Sequence, residues 1–231
     1  MARDALACAE CPVRDRAACS ALTGDERGEL SRLGHRRLLK RGDTLFRAGE
    51  QETACATLIR GALKISSVDA DGVERILSLV HPAGFVGEMF APVSHHEVVA
   101  VADSEVCVFP ADRYERAVAQ FPALARALLR RSAEDLFASR SLINLMGRRT
   151  AIQRVAGFIL AMANAASSSP CHPAARFELP LSRGDMAGML GLSIETVSRQ
   201  FGRLEKDGAI RREGARGIRL TNPALLQRLA S

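Results

Sequence analysis

Three cysteines, Cys8, Cys11 and Cys19, stand within the first twenty residues, and thiolates spaced so closely are a ligand set for a soft metal. Near the other end, the segment Leu192-Ser193-Ile194-Glu195-Thr196-Val197-Ser198-Arg199 places a hydroxyl that can cap a helix just ahead of Glu, Ser and Arg. Those three side chains match base edges in a major groove: Arg forks onto guanine O6 and N7, Glu accepts from cytosine N4, and Ser serves either sign.

The elements around this second segment decide whether it reads bases or is an ordinary surface helix. Ser182 can cap a helix over residues 183–190, Asp185 suits its positive end, and Gly191 permits the tight turn before a second helix. That second helix starts at the Ser193 cap and runs to about Asp207. Steps of three and four put Ile194, Val197, Phe201 and Leu204 on one apolar stripe that should face a core. Glu195, Ser198, Arg199 and Gly202 or Arg203 then fall on the opposite face. An isolated polar set of this kind would be a solvated face. The caps, the glycine turn and the flanking helix favour a helix-turn-helix, with Glu195, Thr196, Ser198, Arg199 and Arg203 as its DNA-binding residues. Beyond it, Ala209-Ile210 and Ile218-Arg219-Leu220 around Gly214 and Gly217 read as a β-hairpin wing, whose Arg211, Arg212, Arg216 and Arg219 suit phosphates.

Charge agrees with this assignment. Residues 1–147 carry 19 Lys+Arg against 20 Asp+Glu, a net of −1, whereas residues 148–231 carry 13 against 6, a net of +7. One third of the chain is therefore built to meet a polyanion, and double-stranded DNA is the expected partner. At 231 residues and 47% apolar composition the chain can bury one large or two small cores. Arg3 and Asp4 precede only Ala5-Leu6-Ala7, too short an apolar run for a signal peptide or a membrane span, so a cytoplasmic location without membrane contact is expected. In a reducing compartment the six cysteines (8, 11, 19, 55, 107 and 171) are expected as thiols, redox groups or metal ligands and not as structural disulfides. An enzyme is not expected, because no nucleophile–base pair, phosphate loop or carboxylate pair stands at an indicative spacing.

Between the two chemical segments the texture changes once. From about Arg36 to Pro110, turns at Gly42-Asp43, Gly49-Glu50, Arg60-Gly61, Asp71-Gly72, Gly84 and Gly87 separate short β-rich runs such as Ala56-Thr57-Leu58-Ile59, Ile76–Val80, Glu97–Val101 and Val106–Phe109, the pattern of a compact β sandwich or barrel. A helix is expected next, with no Gly or Pro between Ala123 and Met146. On it Leu129, Ser132, Leu136, Ser139, Ile143 and Met146 step as a heptad seam suited to a parallel helix pair across a dimer axis. The same stripe could instead pack on its own β-domain. Leu128, Leu142 and Leu145 form a second apolar face. A serine-rich surface loop over 163–175 separates a helix near Ile152 to Met162 from the helix-turn-helix.

The segment from Leu181 to Arg199 closely resembles the helix-turn-helix of the CRP/FNR superfamily, and of its FNR-type members in particular. The resemblance extends over Lys40–Gly49, Gly84–Gly87 and the long helix, nearly the whole chain. It implies an α+β fold with an N-terminal segment 1–20 that binds a cluster, a β-roll of the cyclic-nucleotide-binding type at 21–115, a dimerisation helix at 116–147 and a winged helix-turn-helix at 148–231. It further implies a homodimeric activator that meets RNA polymerase, reads TTGAT-type half-sites of an inverted repeat through Glu195, Ser198 and Arg199, and dimerises through Leu129, Leu136, Ser139, Ile143 and Met146. FNR-type members sense oxygen with a [4Fe-4S] cluster. By resemblance its ligands are Cys8, Cys11, Cys19 and Cys107, although Cys107 taken alone in an apolar strand reads as a small core residue.

Two features depart from the founding member of that family. Seven residues separate Cys11 from Cys19 in place of five, and Ser139 occupies a helix position where an aspartate opposes dimerisation. The same four thiolates would also suit a structural zinc site or a thiol redox switch. Cyclic nucleotide is not expected, because Gly87-Glu88 is present but Ser94 to Ala100 contains no arginine for the phosphate. Cys55 and Cys171 fall outside the cluster scheme as a buried thiol and a loop thiol. His95 and His96 read as loop residues, and His172 beside Cys171 makes no metal site.

Overall fold

The structure is a computed structural model that describes residues 8–51, 54–148, 150–167 and 172–231. Cys171 and most of the serine run lie outside the described residues. The chain divides into two compact units, residues 1–138 and residues 139–231.

The first unit begins with two single 3-10 turns, Cys8–Glu10 and Ala18–Ala21, and a helix α1 (Gly24–Leu33). Thr23 and Glu26 close a capping box on α1, each side chain bonding the other residue's backbone N–H. Eight strands follow: β1 (His35–Leu39), β2 (Thr44–Phe46), β3 (Ala54–Arg60), β4 (Leu63–Val68), β5 (Glu74–Val80), β6 (Phe85–Val86), β7 (Glu97–Ala100) and β8 (Ser104–Pro110). They form two antiparallel four-stranded sheets, in the orders β1-β8-β3-β6 and β2-β7-β4-β5. Alternation along each strand sends Leu39, Leu45, Ala56, Leu58, Leu63, Val98, Val106 and Val108 into one shared core. This is the compact β architecture expected from the turn spacing, and the β-roll that the resemblance implied.

The helical region departs from a single helix starting near residue 116. Helix α2 (Ala111–Gln120) ends at Phe121, and Pro122 opens a separate helix α3 (Pro122–Met146). The break has a local cause: Pro122 disfavours helical geometry at the preceding residue, and a proline is well placed at the start of the next helix. Along α3, Leu124, Leu128 and Leu145 are buried, while the seam stays open, with Leu129 72%, Leu136 51%, Ile143 69% and Met146 38% exposed. Both apolar faces anticipated for this helix are therefore present, and the stripe does not pack on its own β-domain.

In the second unit α4 (Ala151–Ala165) is capped by a Thr150–Gln153 box and buries Val155, Phe158 and Ile159. After the short strand β9 (Arg176–Glu178) come α5 (Arg183–Leu190), α6 (Ile194–Lys206), β10 (Ile210–Glu213), β11 (Gly217–Leu220) and α7 (Pro223–Ala230). Strand β9 joins the β10–β11 hairpin as a third strand, order β10-β11-β9, and α4 packs against α6 and α7. Among the described residues no helix is long and apolar enough to cross a membrane.

Gly191 sits in the left-handed region, with φ 61° and ψ 44°, and ends α5 so that α6 can start three residues later. A side chain there meets a backbone penalty and not a steric one, since the nearest atom to an added Cβ is 3.8 Å away. Gly191→Ala is therefore expected to destabilise the second unit by about 1 kcal/mol, measured as a lower urea midpoint with unchanged slope.

Candidate metal centre and nucleic-acid interface

Cys107 owes its position to strand register. In β8 the neighbours Val106 and Val108 face the roll's interior, so Cys107 faces outward, opposite Arg36 on β1 and Thr57 on β3. The N-terminal segment covers this outer face. Val13 and Ala17 are buried against Ile59 and Ala83, with Cys11, Cys19 and Cys107 bordering the cluster. Ala18 and Leu22 enter the adjoining cluster of Leu30, Phe109, Tyr114, Leu124 and Leu128. Bonds from Arg14 N to Cys11 O (3.1 Å), Ala17 N to Val13 O (2.9 Å) and Leu22 N to Cys19 O (3.3 Å) coil the loop upon itself. Cys8, Cys11, Cys19 and Cys107 consequently line one pocket, walled mostly by apolar atoms of residues such as Val13, Ile59, Phe109 and Tyr114. Cys55 does not line it. It is buried beneath Tyr114, close enough to Gly87 that a Cβ there would stand 2.8 Å from it.

The pocket is hostile to four unassisted thiolates. Burial pushes up the Cys8 and Cys19 thiols, and Cys107 is pushed up to about 12 by burial and then by Cys11, Cys8 and Cys19. Arg27 and Arg14 oppose the shift at Cys8, Arg27 opposes it at Cys19, and Arg36 opposes it at Cys107. Arg27 also fixes the loop, donating from Nε to Cys19 O (3.2 Å) and from Nη2 to Leu22 O (3.0 Å). This residue escaped sequence reading; its only signal was a cation within the first turn after a capped helix start. A soft cationic centre would relieve both desolvation and mutual repulsion, so the donor set fits a metal–thiolate group. Among the described residues no three of His, Cys, Asp and Glu converge tightly enough to seat a single ion.

In the second unit the motif is built as its caps require. Ser182 Oγ accepts from Asp185 N (3.1 Å), while Asp185 Oδ2 accepts from Ser182 N (2.9 Å) and Oγ (2.6 Å). Ser193 Oγ accepts from Thr196 N (3.2 Å). Val197, Phe201 and Leu204 are fully buried, and Glu195, Ser198, Arg199 and Arg203 are exposed with Thr196 half-buried beside them. Ile194 corrects the expected stripe: it is 51% exposed, because the first helical residue projects past the core and lies only against the surface of α5 near Gly184.

Arg199 Nη2 donates to Thr196 Oγ1 (3.3 Å), which holds the guanidinium on the open face. The Glu195 carboxyl is held below its ordinary range by its own backbone N–H and by Ser193, so it stays an acceptor. Behind this face the Arg183 guanidinium stacks on Phe201, 3.4 Å from the ring centroid. Arg154 Nη1 donates to Leu190 O (3.2 Å), tying α4 to the negative end of α5. On the wing, Arg211 and Arg219 are exposed as expected, but Arg212 is committed to Glu205, donating from N (2.9 Å) and Nε (2.7 Å). This pair braces the hairpin on α6.

In the β-roll, Glu88 accepts from His95 N (3.2 Å) and pairs with the Nδ1 atoms of His95 and, at 2.7 Å, His96. The two histidines lie in the loop ahead of β7, as expected, and both are partners of Glu88.

Residues 36–121 match the family model of the cyclic nucleotide-binding domain and residues 153–229 that of the Crp-like helix-turn-helix domain. A probable transcriptional activator of Rhizobium leguminosarum bv. viciae is 36% identical over 226 residues, 98% of this chain and 94% of that protein. The chain belongs to the CRP/FNR family of DNA-binding transcription regulators. This CRP/FNR protein is also 32% identical to the transcriptional activator protein FnrL of Cereibacter sphaeroides, covering 95% of this chain and 90% of FnrL. The structure of FixK2 from Bradyrhizobium japonicum superposes with a TM-score of 0.78 at 27% identity, covering 86% of this chain and 98% of that one. These relatives are regulators and not enzymes, in keeping with the expectation from sequence.

The raised thiols have a pH consequence in metal-free protein. A thiol whose folded pKa lies near 12, above its ordinary 9.0, stabilises the fold below about pH 9 and loses that contribution as pH rises toward 12. At pH 8 its thiolate fraction is roughly one in ten thousand, so iodoacetamide is expected to leave Cys107 unmodified in the native protein and to label it on unfolding. Fast native labelling, located by peptide mass, would contradict the buried placement.

Proposed function

We propose that this CRP/FNR protein is an oxygen-responsive activator whose DNA-binding homodimer depends on a [4Fe-4S] cluster held by Cys8, Cys11, Cys19 and Cys107. The observation that carries this reading is the meeting of the four thiols at one apolar pocket, three from the N-terminal segment and one from β8. The cluster supplies a group that dioxygen degrades. The residues do the rest. Cys107 would tie the N-terminal segment to the roll, Arg27 clamps Cys19, and Val13 and Ala17 form part of the pocket's apolar wall. Without the cluster the thiols would be protonated, and the segment would be held by its apolar contacts and by the bonds from Arg27 and Arg131.

A single zinc would need sulfurs about 3.8 Å apart around bonds of about 2.3 Å. The four cysteines line one pocket, and it is the resemblance to FNR-type members that favours a cluster there over a single zinc. In the β-roll, Glu88 is occupied by His95 and His96, which speaks against a cyclic nucleotide as the signal. The open seam of Leu129, Leu136, Ile143 and Met146, with Ser139 between them, supports a homodimer through α3. Such a dimer would present two α6 helices to successive major grooves of a TTGAT-type inverted repeat, with RNA polymerase as the downstream partner.

Anaerobic purification is expected to yield brown protein with about four iron and four sulfide per chain, and Cys107→Ala to yield neither. Colourless protein carrying one zinc would replace the cluster with a structural site. Arg199→Ala is expected to cost roughly 1–3 kcal/mol on the cognate half-site and to remove selection for its guanine. An equal loss on every sequence would make Arg199 a phosphate contact. Ile143→Glu removes a burial worth about 1.5–3 kcal/mol per chain, so sedimentation should show a dimer weakened by tenfold or more. An unchanged association constant would place the interface elsewhere.

A further inference from the structure

A charge-assisted contact joins the cysteine loop to α3. Arg131 Nη2 donates to the carbonyl oxygen of Arg16 at 3.2 Å, midway along the loop from Cys11 to Cys19. Glu134 Oε2, 3.1 Å from Nη1, holds the same guanidinium from one turn further along α3. One turn of α3 thereby carries two contacts to the loop region and part of the exposed seam. Leu128 packs in the cluster that takes Ala18 and Leu22, Arg131 reaches the loop carbonyl, and Leu129 and Ser132 lie on the exposed seam.

The loop is coiled by its own backbone bonds, so a displacement at Cys11 or Cys19 reaches Arg16 with little loss. The contact also borders an open groove lined by Asp15, Arg16, Arg126, Arg130 and Glu134. Water can therefore replace Arg131 at the carbonyl, whereas the apolar contact of Leu128 has no such substitute. Of the two links between loop and helix, the polar one is the reversible one.

We infer that Arg131 is a positioning residue: it transmits the arrangement of the Cys11–Cys19 loop to the seam of α3, so that ligand binding by the cysteines sets the strength of dimerisation. The inference rests on the proposed cluster function and adds the route by which it acts. Arg131→Met retains the length of the apolar stem and removes the donor, while Arg131→Lys restores one donor. The dimer constant is measured by sedimentation on anaerobic protein and again after air, alongside iron content and hydrogen exchange of residues 13–20.

Wild type is expected to weaken by about tenfold or more in air, the usual scale of coupling between sites. Arg131→Met should keep its iron, exchange faster over 13–20 and show a shift of less than about twofold, with part of the response returning in Arg131→Lys. An Arg131→Met protein that retains the wild-type shift overturns the inference, as does one that loses its iron, since Arg131 would then serve only the ligand loop. Wild-type protein without iron would refute the cluster reading by itself. In that case faster exchange together with a changed dimer constant in Arg131→Met would still support the link, and either one unchanged would overturn it.

Discussion

Thiols that share a largely apolar pocket resist ionising together without a positive centre among them. Much of the first unit is arranged around this constraint. The register of β8 turns Cys107 away from the roll's core, and the coiled N-terminal segment brings Cys8, Cys11 and Cys19 over the same outer face. Arg14, Arg27 and Arg36 approach closely enough to lessen the repulsion without removing it, since Cys8, Cys19 and Cys107 all remain shifted upward. Under the proposed function the pocket would pass between protonated thiols and metal-bound thiolates, and metal binding would release protons.

Helix α3 is where that change would be felt elsewhere. Its buried face shares a cluster with Ala18 and Leu22, and its other face leaves Leu129, Leu136 and Ile143 in solvent, an arrangement that costs solubility unless a partner covers it. The helix-turn-helix follows a different logic. Its caps, the Gly191 turn, the Arg183–Phe201 stack and the Arg212–Glu205 brace fix α6 before any ligand arrives. With the reading face braced in this way, the proposed regulation would act through how two copies are brought together.

Local rules made a large part of this legible from the chain itself. The Ser182 and Ser193 caps, the glycine turn, strand alternation and the two stripes of α3 each depend on residues within a few positions of one another, and they appear where the sequence placed them. The meeting of Cys107 with the N-terminal cysteines came only through resemblance, because the return of a chain end to a strand about ninety residues later leaves no local trace. The misses follow the same division. Ile194 obeys the helical period but sits at the helix end, where the core no longer reaches. Arg212 looks like any wing arginine until the fold brings Glu205 beside it. Arg27, Arg131 and the pairing of Glu88 with His95 and His96 are likewise tertiary facts, and α1, β9 and α7 are too short for periodicity to declare.

The most direct test joins the two ends of the molecule in one sample. Anaerobic protein is titrated onto a fluorescent duplex carrying a TTGAT-type inverted repeat, and anisotropy and visible absorbance are followed together as air is admitted. The expected result is tight binding that falls in step with the loss of the iron–sulfur absorbance. Binding that persists undiminished after the colour has gone would contradict a cluster-controlled regulator and leave a DNA-binding protein whose thiols serve another end.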